Sequence, residues 1–250
     1  MRSGYLRPLF TILLLCSAGV RAHWTDIQRQ FPEINLQRLE SANLSLELLR
    51  EPSAALNPKG TIVVLPAPEQ HALSPKLLNT LRLNLPASGW HLLVLPAPEI
   101  TETLPPEQKL LSQKAQLANR WQLLTQTGNL QPPVIAVAQG ETAAWLNLLI
   151  ADSLTQSPAA LITLGAYLSD YQQNNQLLKQ LSLTPLPLLD LVTALDHPYA
   201  TGALTQRQQL AKQQQNPLYR QRHLSDAYQD QATQQWVLKE ILGWLHATGF

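Results

Sequence analysis

Short apolar runs, separated by segments long enough to form helices, recur along this chain from residue 59 to its end. The runs are rich in leucine and β-branched residues, and they occupy residues 61–65, 91–95, 134–138, 160–164, 186–192 and 219–224. Helices are predicted over residues 75–85, 105–127, 142–154 and 232–246. Such alternation is typical of a parallel sheet covered by helices on both faces. The sequence therefore predicts one α/β domain over residues 59–250, built on an open, mostly parallel sheet.

Residues 23–58 form a preamble to this pattern. Between residues 31 and 50 the apolar residues stand at mixed spacing. We interpret this segment as a short helix followed by a strand at the edge of the sheet.

The first 22 residues have the layout of a secretory signal peptide. Arg2 and Arg7 precede an apolar run over residues 9–20, and the small residues Val20 and Ala22 stand before a cut after Ala22. The run is shorter than the roughly 20 residues of a membrane-spanning helix. A short membrane anchor is the alternative. We expect an exported protein, periplasmic or secreted, with no stable membrane span after cleavage.

Cleavage would change both the cysteine content and the charge of the chain. Cys16, the single cysteine, would leave with the signal peptide, so the mature chain could form no disulfide or thiol nucleophile. Loss of three arginines changes the net charge from +1 to −2. A weakly acidic chain without a basic stripe is a poor nucleic-acid binder. We expect the partner to be a small molecule or an envelope protein.

A six-residue motif occurs twice, thirty residues apart, and ends at Glu69 and at Glu99. Each copy reads Val-Leu-Pro-Ala-Pro-Glu and follows a predicted strand. Thirty residues is roughly the length of one strand-helix-strand unit, so the copies should leave neighbouring strands at the same edge of the sheet. There the two glutamates would line a binding crevice. The prolines could equally serve only to end the strands, because proline has no N–H for the ladder.

The segment 133–145 runs from a predicted strand into a predicted helix through Ala138-Gln139-Gly140-Glu141-Thr142. This junction resembles the nucleophile elbow of the α/β-hydrolase superfamily, in which G-x-S-x-G places a nucleophile on a strained strand-to-helix turn. In that register Gly140 takes the nucleophile position. The resemblance covers residues 59–250 and implies the α/β-hydrolase fold. More narrowly, the elbow, Leu186-Pro-Leu-Leu-Asp190 and Tyr219-Arg220-Gln221 resemble an exported domain-of-unknown-function branch of the superfamily.

The departures from the hydrolase pattern bear directly on function. Gly140 offers no hydroxyl, thiol or carboxylate, so covalent acyl transfer at this position is excluded. The loop after the last strand, where the superfamily's base would stand, contains no histidine. The loop after the first parallel strand contains Pro66 and Pro68, which leaves only Ala67, Glu69, Gln70 and His71 as N–H donors for an oxyanion hole.

Four residues remain as weak catalytic candidates: Glu141, Asp196, His197 and His71. The resemblance places the acid after the strand at 186–192, where Asp196 is better situated than Asp190, which could equally be a core carboxylate. His223 lies within a predicted strand, where a structural role is favoured. Neither a metal-ligand spacing nor a glycine-rich phosphate loop is present in the sequence, so no metal or cofactor is expected.

Three accounts of function follow. The first is a hydrolase-fold protein without serine-hydrolase catalysis, whose crevice of Gly140, Gln139, Glu69 and Glu99 binds a ligand or partner. The second is a weak hydrolase of esters or related acyl groups, in which Glu141 activates water beside His71 or His197. The third is a structural envelope protein whose fold provides only a stable surface.

Overall fold

The computed structural model describes residues 34–42, 44–71, 73–100, 103–226 and 230–250. Residues 35–250 belong to one compact unit. The predicted signal peptide lies outside the described residues. Among the helices of the described residues, none combines the length and the hydropathy of a membrane span.

An eight-stranded sheet forms the centre of this unit, in the order β1-β2-β4-β3-β5-β6-β7-β8. β1 and β2 are antiparallel to their neighbours, and all remaining pairs are parallel. The strands are β1 Leu36–Glu40, β2 Ser45–Glu51, β3 Thr61–Leu65, β4 His91–Val94, β5 Val134–Gln139, β6 Ala160–Leu164, β7 Leu188–Thr193 and β8 Tyr219–Leu224. The predicted mostly parallel α/β sheet is confirmed.

Helices follow the parallel strands. They are α1 Leu77–Ala87, α2 Pro106–Thr127, α3 Gly140–Ala151, α4 Tyr171–Leu183, α5 Pro198–Thr201, α6 Leu204–Gln213 and α7 Gln231–Ala247. Local sequence explains several helix starts. Asp170 accepts a hydrogen bond from Gln173 N at 2.9 Å and caps α4, while Asp230 accepts one from Thr233 N at 3.0 Å and caps α7.

Alternate residues of the buried strands face the two helical layers. Val63, Leu65 and Ala136 belong to a core that contains Trp121 of α2 and Trp145 of α3. α1 and α7 pack against each other in the second layer, where Thr80 Oγ1 donates to Gln234 Oε1 at 2.8 Å. Because the central strands are buried on both faces, their sequences are continuous apolar runs.

The helix expected in the preamble is wrong where the structure describes that segment. Two antiparallel strands occupy residues 36–51, and both belong to the main sheet. Leu46 and Leu48 are buried while Glu47 between them is partly exposed. This two-residue alternation is a strand pattern, which the neighbouring leucines obscure in the sequence.

Candidate functional site

The bend between β5 and α3 lies at the carboxyl edge of the sheet. Gln139 ends the strand in an extended conformation, and Gly140 begins the helix with φ +58°. That left-handed value is unfavourable for residues with a Cβ but accessible to glycine. The predicted helix start at residue 142 is therefore two residues late, because the glycine itself makes the turn.

Two side chains lie close to the space that a nucleophile would occupy. A Cβ placed on Gly140 would stand 3.3 Å from Ala67 Cβ and 3.7 Å from Tyr167 Cε1. Ala67 belongs to the loop after β3, and Tyr167 belongs to the loop after β6. The tyrosine was not among the predicted site residues, although it follows a strand at the carboxyl edge where binding residues of such sheets gather.

Tyr167 lies in an acidic environment. Its ring stacks on the His197 imidazole with the centroids 4.0 Å apart and the planes at 2°. Burial, followed by the negative charges of Glu141, Glu69 and Asp196, raises the pKa of Tyr167 to about 12. The phenol therefore stays protonated at neutral pH and can donate a hydrogen bond near the elbow.

The two candidate histidines each use Nδ1 as an acceptor. Tyr199 N donates to His197 Nδ1 at 3.1 Å, and Leu73 N donates to His71 Nδ1 at 3.2 Å. A neutral imidazole that accepts at Nδ1 carries its proton on Nε2. Nε2 is then a donor, which is the reverse of what a general base requires.

Asp196 lies against the loop that follows β6. Its Oδ2 accepts a hydrogen bond from Thr193 N at 2.7 Å. A Cβ on Gly165, whose φ is +62°, would stand 2.7 Å from the Asp196 carboxyl carbon. Burial raises the pKa of Asp196, with a further increase from Asp190, while hydrogen bonds from Thr193 and the charge of His223 lower it.

Asp190 is a fully buried core carboxylate. Arg207 Nη1 forms an ion pair with its Oδ2 at 3.2 Å, and both side chains are inaccessible to solvent. Thr163 Oγ1 donates to Oδ1 and the Tyr219 hydroxyl donates to Oδ2, each at 2.8 Å. Arg207 Nη2 also donates to Ala166 O at 2.7 Å. This network is structural, and it anchors the loop after β6.

The repeated motif leaves two neighbouring parallel strands, as predicted, because β3 pairs with β4. Glu69 and Glu99 are both exposed. Glu69 acts electrostatically on the Tyr167 phenol, whereas the backbone N–H of Glu99 donates to Gln116 Oε1 on α2 at 3.0 Å. The role of these glutamates in binding stays a prediction.

The loop after β3 is a poor source of oxyanion donors. Gln70 N donates to Ala67 O at 2.8 Å, and His71 N donates to Ser74 Oγ at 2.9 Å. Two of the four expected N–H groups are therefore engaged within the loop itself. Ala67 and Glu69 are left to donate from this segment.

A pocket of about 300 Å³ lies beside the elbow. Helix α2, the first turns of α3 and the segment from the β6 loop into α4 form its walls, and its lining comprises Leu104, Pro106, Lys109, Leu110, Gln113, Glu141, Trp145, Leu168, Ser169, Asp170 and Gln173. Among the predicted site residues, Glu141 alone lines it. The Glu141 side chain is nearly buried, and its Oε1 accepts a hydrogen bond from Ser169 N at 3.1 Å.

Gln139 also lies beside the elbow. It is partly buried, and its Oε1 has no hydrogen-bond partner among the residues that the structure describes. In the same part of the chain, no group of three or more histidine, cysteine or carboxylate residues is arranged to hold a metal ion.

A protein-family model, described as "Protein of unknown function (DUF3530)", matches residues 20–120 and 107–247. The chain belongs to this family. A comparison with curated proteins finds no match.

Solved esterase structures resemble this DUF3530 protein in fold. An esterase of Pyrococcus furiosus has a TM-score of 0.63 at 8% identity, covering 91% of this chain and 95% of that one. Esterase 2 of Thermogutta terrifontis has a TM-score of 0.61 at 11% identity, covering 88% of this chain and 96% of that one. Est1E of Butyrivibrio proteoclasticus has a TM-score of 0.60 at 10% identity, covering 84% of this chain and 99% of that one. The DUF3530 protein has the α/β-hydrolase fold.

The elbow of the DUF3530 protein is surrounded by acidic and hydrogen-bonding side chains. The strained turn of the hydrolase fold is present at Gly140, with no side-chain nucleophile on it. Around it lie carboxylates, the protonated phenol of Tyr167 and the His197 imidazole, whose Nδ1 accepts a backbone hydrogen bond. These groups can donate and accept hydrogen bonds and attract positive charge.

Proposed function

We propose that this protein is an exported α/β-hydrolase-fold protein that binds a small ligand or an envelope partner and carries out no serine-hydrolase catalysis. The observation that carries the proposal is the site of the missing nucleophile. Gly140 makes the left-handed turn with no side chain, and the Tyr167 ring lies 3.7 Å from the position of the absent Cβ.

The charges around the elbow support the same proposal. Acyl transfer builds negative charge on an oxyanion, which hydrolases stabilise with N–H donors or cations. Here the groups that act on Tyr167 are the carboxylates of Glu141, Glu69 and Asp196. Negative charges near an oxyanion raise the energy of the transition state, whereas they favour a ligand with a positive group.

A hydrolase that uses water as its nucleophile is the competing function, and one observation favours it. Glu141 lines the pocket, and the hydrogen bond from Ser169 N engages Oε1 and not Oε2. A carboxylate in that position could take a proton from a water molecule. General-base catalysis of this kind contributes about 10²–10⁴-fold in rate.

Esterase assays distinguish the two functions. The mature chain, beginning at His23, is tested on short-chain p-nitrophenyl esters together with Glu141→Gln and the control Glu107→Gln, which alters an exposed carboxylate on α2. We expect all three proteins to match the buffer rate. Turnover by the wild type and the control that disappears in Glu141→Gln would overturn the binding proposal and establish the hydrolase.

A further inference from the structure

The pocket beside the elbow has the size of a site for a small metabolite. Its volume of about 300 Å³ lies at the lower end of the range of roughly 300–1,000 Å³ that is usual for ligand pockets. Three separate parts of the chain form it: α2, the start of α3 and the loop that leads into α4. A ligand there would contact Glu141, the residue directly after the elbow glycine.

Gln113 is a buried polar residue without a protein partner. Its side chain is fully buried and lines the pocket, yet neither Nε2 nor Oε1 has a hydrogen-bond partner among the described residues. Leaving both ends of a buried amide unpaired is unfavourable. A ligand with both a donor and an acceptor would satisfy them.

The charged groups of the lining indicate the chemistry of that ligand. Glu141 offers Oε2, and Asp170 offers Oδ2, because the hydrogen bonds from Ser169 N and Gln173 N use the other oxygens. Lys109, on α2 one turn before Gln113, is the cation of the lining. Two carboxylates beside one ammonium match a molecule that carries one positive and one negative group.

Most of the other lining residues are apolar, and Ser169 and Gln173 are the polar exceptions. Leu104, Leu110, Leu168 and Trp145 contribute to its walls. Such a surface accommodates an aliphatic chain and excludes water from it. The ligand therefore combines two charged ends with a short hydrocarbon part.

We propose that this pocket binds a free amino acid with an aliphatic side chain. Its ammonium group would be held by Glu141 Oε2 and Gln113 Oε1, and its carboxylate by Lys109 Nζ and Gln113 Nε2. The inference rests on the proposed binding function and gives its ligand class. It assigns no bond-breaking step.

Three probes that share the branched hydrocarbon chain of leucine separate the contributions of the two charges. L-leucine carries both groups, 3-methylbutylamine carries the ammonium alone, and 4-methylpentanoate carries the carboxylate alone. In calorimetric titrations of the mature chain we expect leucine to bind most tightly and the carboxylate probe most weakly, with about a tenfold difference at each step. No binding of leucine at millimolar concentration, or equal binding of 4-methylpentanoate, would overturn the inference.

Pocket variants test the individual contacts. Glu141→Gln should weaken the binding of leucine and of 3-methylbutylamine alike, by about tenfold or more. Lys109→Met should weaken the binding of leucine but leave the affinity for 3-methylbutylamine unchanged. The control Lys114→Met removes a lysine of the same helix that pairs with Asp152 outside the pocket, and its affinity for leucine should equal that of the wild type. Equal affinities across all variants would overturn the inference.

Gln113→Leu adds a readout that a purely structural glutamine would not give. A leucine side chain at position 113 has nearly the size of glutamine and leaves no amide unpaired. The ligand-free variant should therefore melt at a higher temperature than the ligand-free wild type. It should also bind leucine at least about tenfold more weakly. Should this variant not fold, Glu141→Gln and Lys109→Met still decide the outcome. Because binding is measured without turnover, a failure here leaves the esterase result unchanged.

Discussion

Two glycines at the carboxyl edge of the sheet have left-handed backbone angles for different reasons. Gly140 makes the turn from β5 into α3, and an added Cβ would approach Ala67 to 3.3 Å, a tight contact with one small side chain. At Gly165 an added Cβ would meet the Asp196 carboxylate at 2.7 Å. At Gly140 the backbone conformation is the main constraint. At Gly165 the close approach of the Asp196 carboxylate is a second constraint.

Gly140→Ser is the direct test of the elbow at the residue scale. A non-glycine residue in this left-handed turn is expected to lower the free energy of unfolding by about 1–3 kcal/mol. Gly140→Ala is the control, because it adds the same Cβ without the hydroxyl, and its loss should be similar. Urea denaturation measures both.

We also expect Gly140→Ser to show no esterase activity. The added hydroxyl lacks a base, since His197 Nδ1 and His71 Nδ1 each accept a backbone hydrogen bond. Strong turnover of p-nitrophenyl esters by this variant would show that one of these imidazoles rearranges into a catalytic position.

The raised pKa of Asp196 predicts how stability depends on pH. Burial makes the folded protein hold the Asp196 proton more tightly than the unfolded chain does. Ionisation of Asp196 therefore lowers the free energy of unfolding. This loss develops as the pH rises from the ordinary pKa of an aspartate through the raised value. Asp196→Asn keeps an acceptor for Thr193 N and has no charge to bury. Its stability relative to the wild type should increase as the pH rises above about 4, the ordinary pKa of an aspartate, and parallel unfolding profiles would contradict this.

At the scale of secondary-structure elements, one buried ion pair joins three strands to a helix. Asp190 of β7 contacts Thr163 of β6, Tyr219 of β8 and Arg207 of α6. α6 is mostly polar in sequence, and its arginine is nevertheless fully buried. The sequence left the role of Asp190 open, because its ion-pair partner, Arg207, lies 17 residues further along the chain.

Removing one partner of this pair should be much more damaging than replacing both. Arg207→Met leaves a buried carboxylate without its cation, which typically costs about 3–5 kcal/mol. The double variant Asp190→Leu with Arg207→Met removes the uncompensated charge and should recover part of that loss. Denaturation of the wild type, the two single variants and the double variant completes a thermodynamic cycle. A double variant no more stable than Arg207→Met would contradict the argument.

At the scale of the whole molecule, one compact unit covers residues 35–250, and the family match begins at residue 20. The first 22 residues carry the pattern that predicts a signal peptide. If they are removed, the remaining chain carries a net charge of −2.

Export is tested on the protein recovered from the periplasm or the culture medium. Its N-terminal sequence should begin His23-Trp24-Thr25, because the small residues Val20 and Ala22 direct the cut. Ala22→Leu should retain the uncleaved chain, while the control Ala18→Leu, within the apolar run, should be processed normally. Recovery of the wild type with its N-terminal segment intact in the membrane fraction would establish the anchor instead.

The amino-acid sequence alone was sufficient for the parallel strands and for the turn at Gly140. A strand buried on both faces is a continuous apolar run, and a left-handed turn favours glycine, so both features are visible in the local sequence. The stacking of Tyr167 on His197, the Asp190–Arg207 pair and the pocket around Gln113 depend on residues far apart in the chain. Only the packing of the helices against the sheet brings them together, because burial and pairing are properties of the folded neighbourhood and not of the local segment.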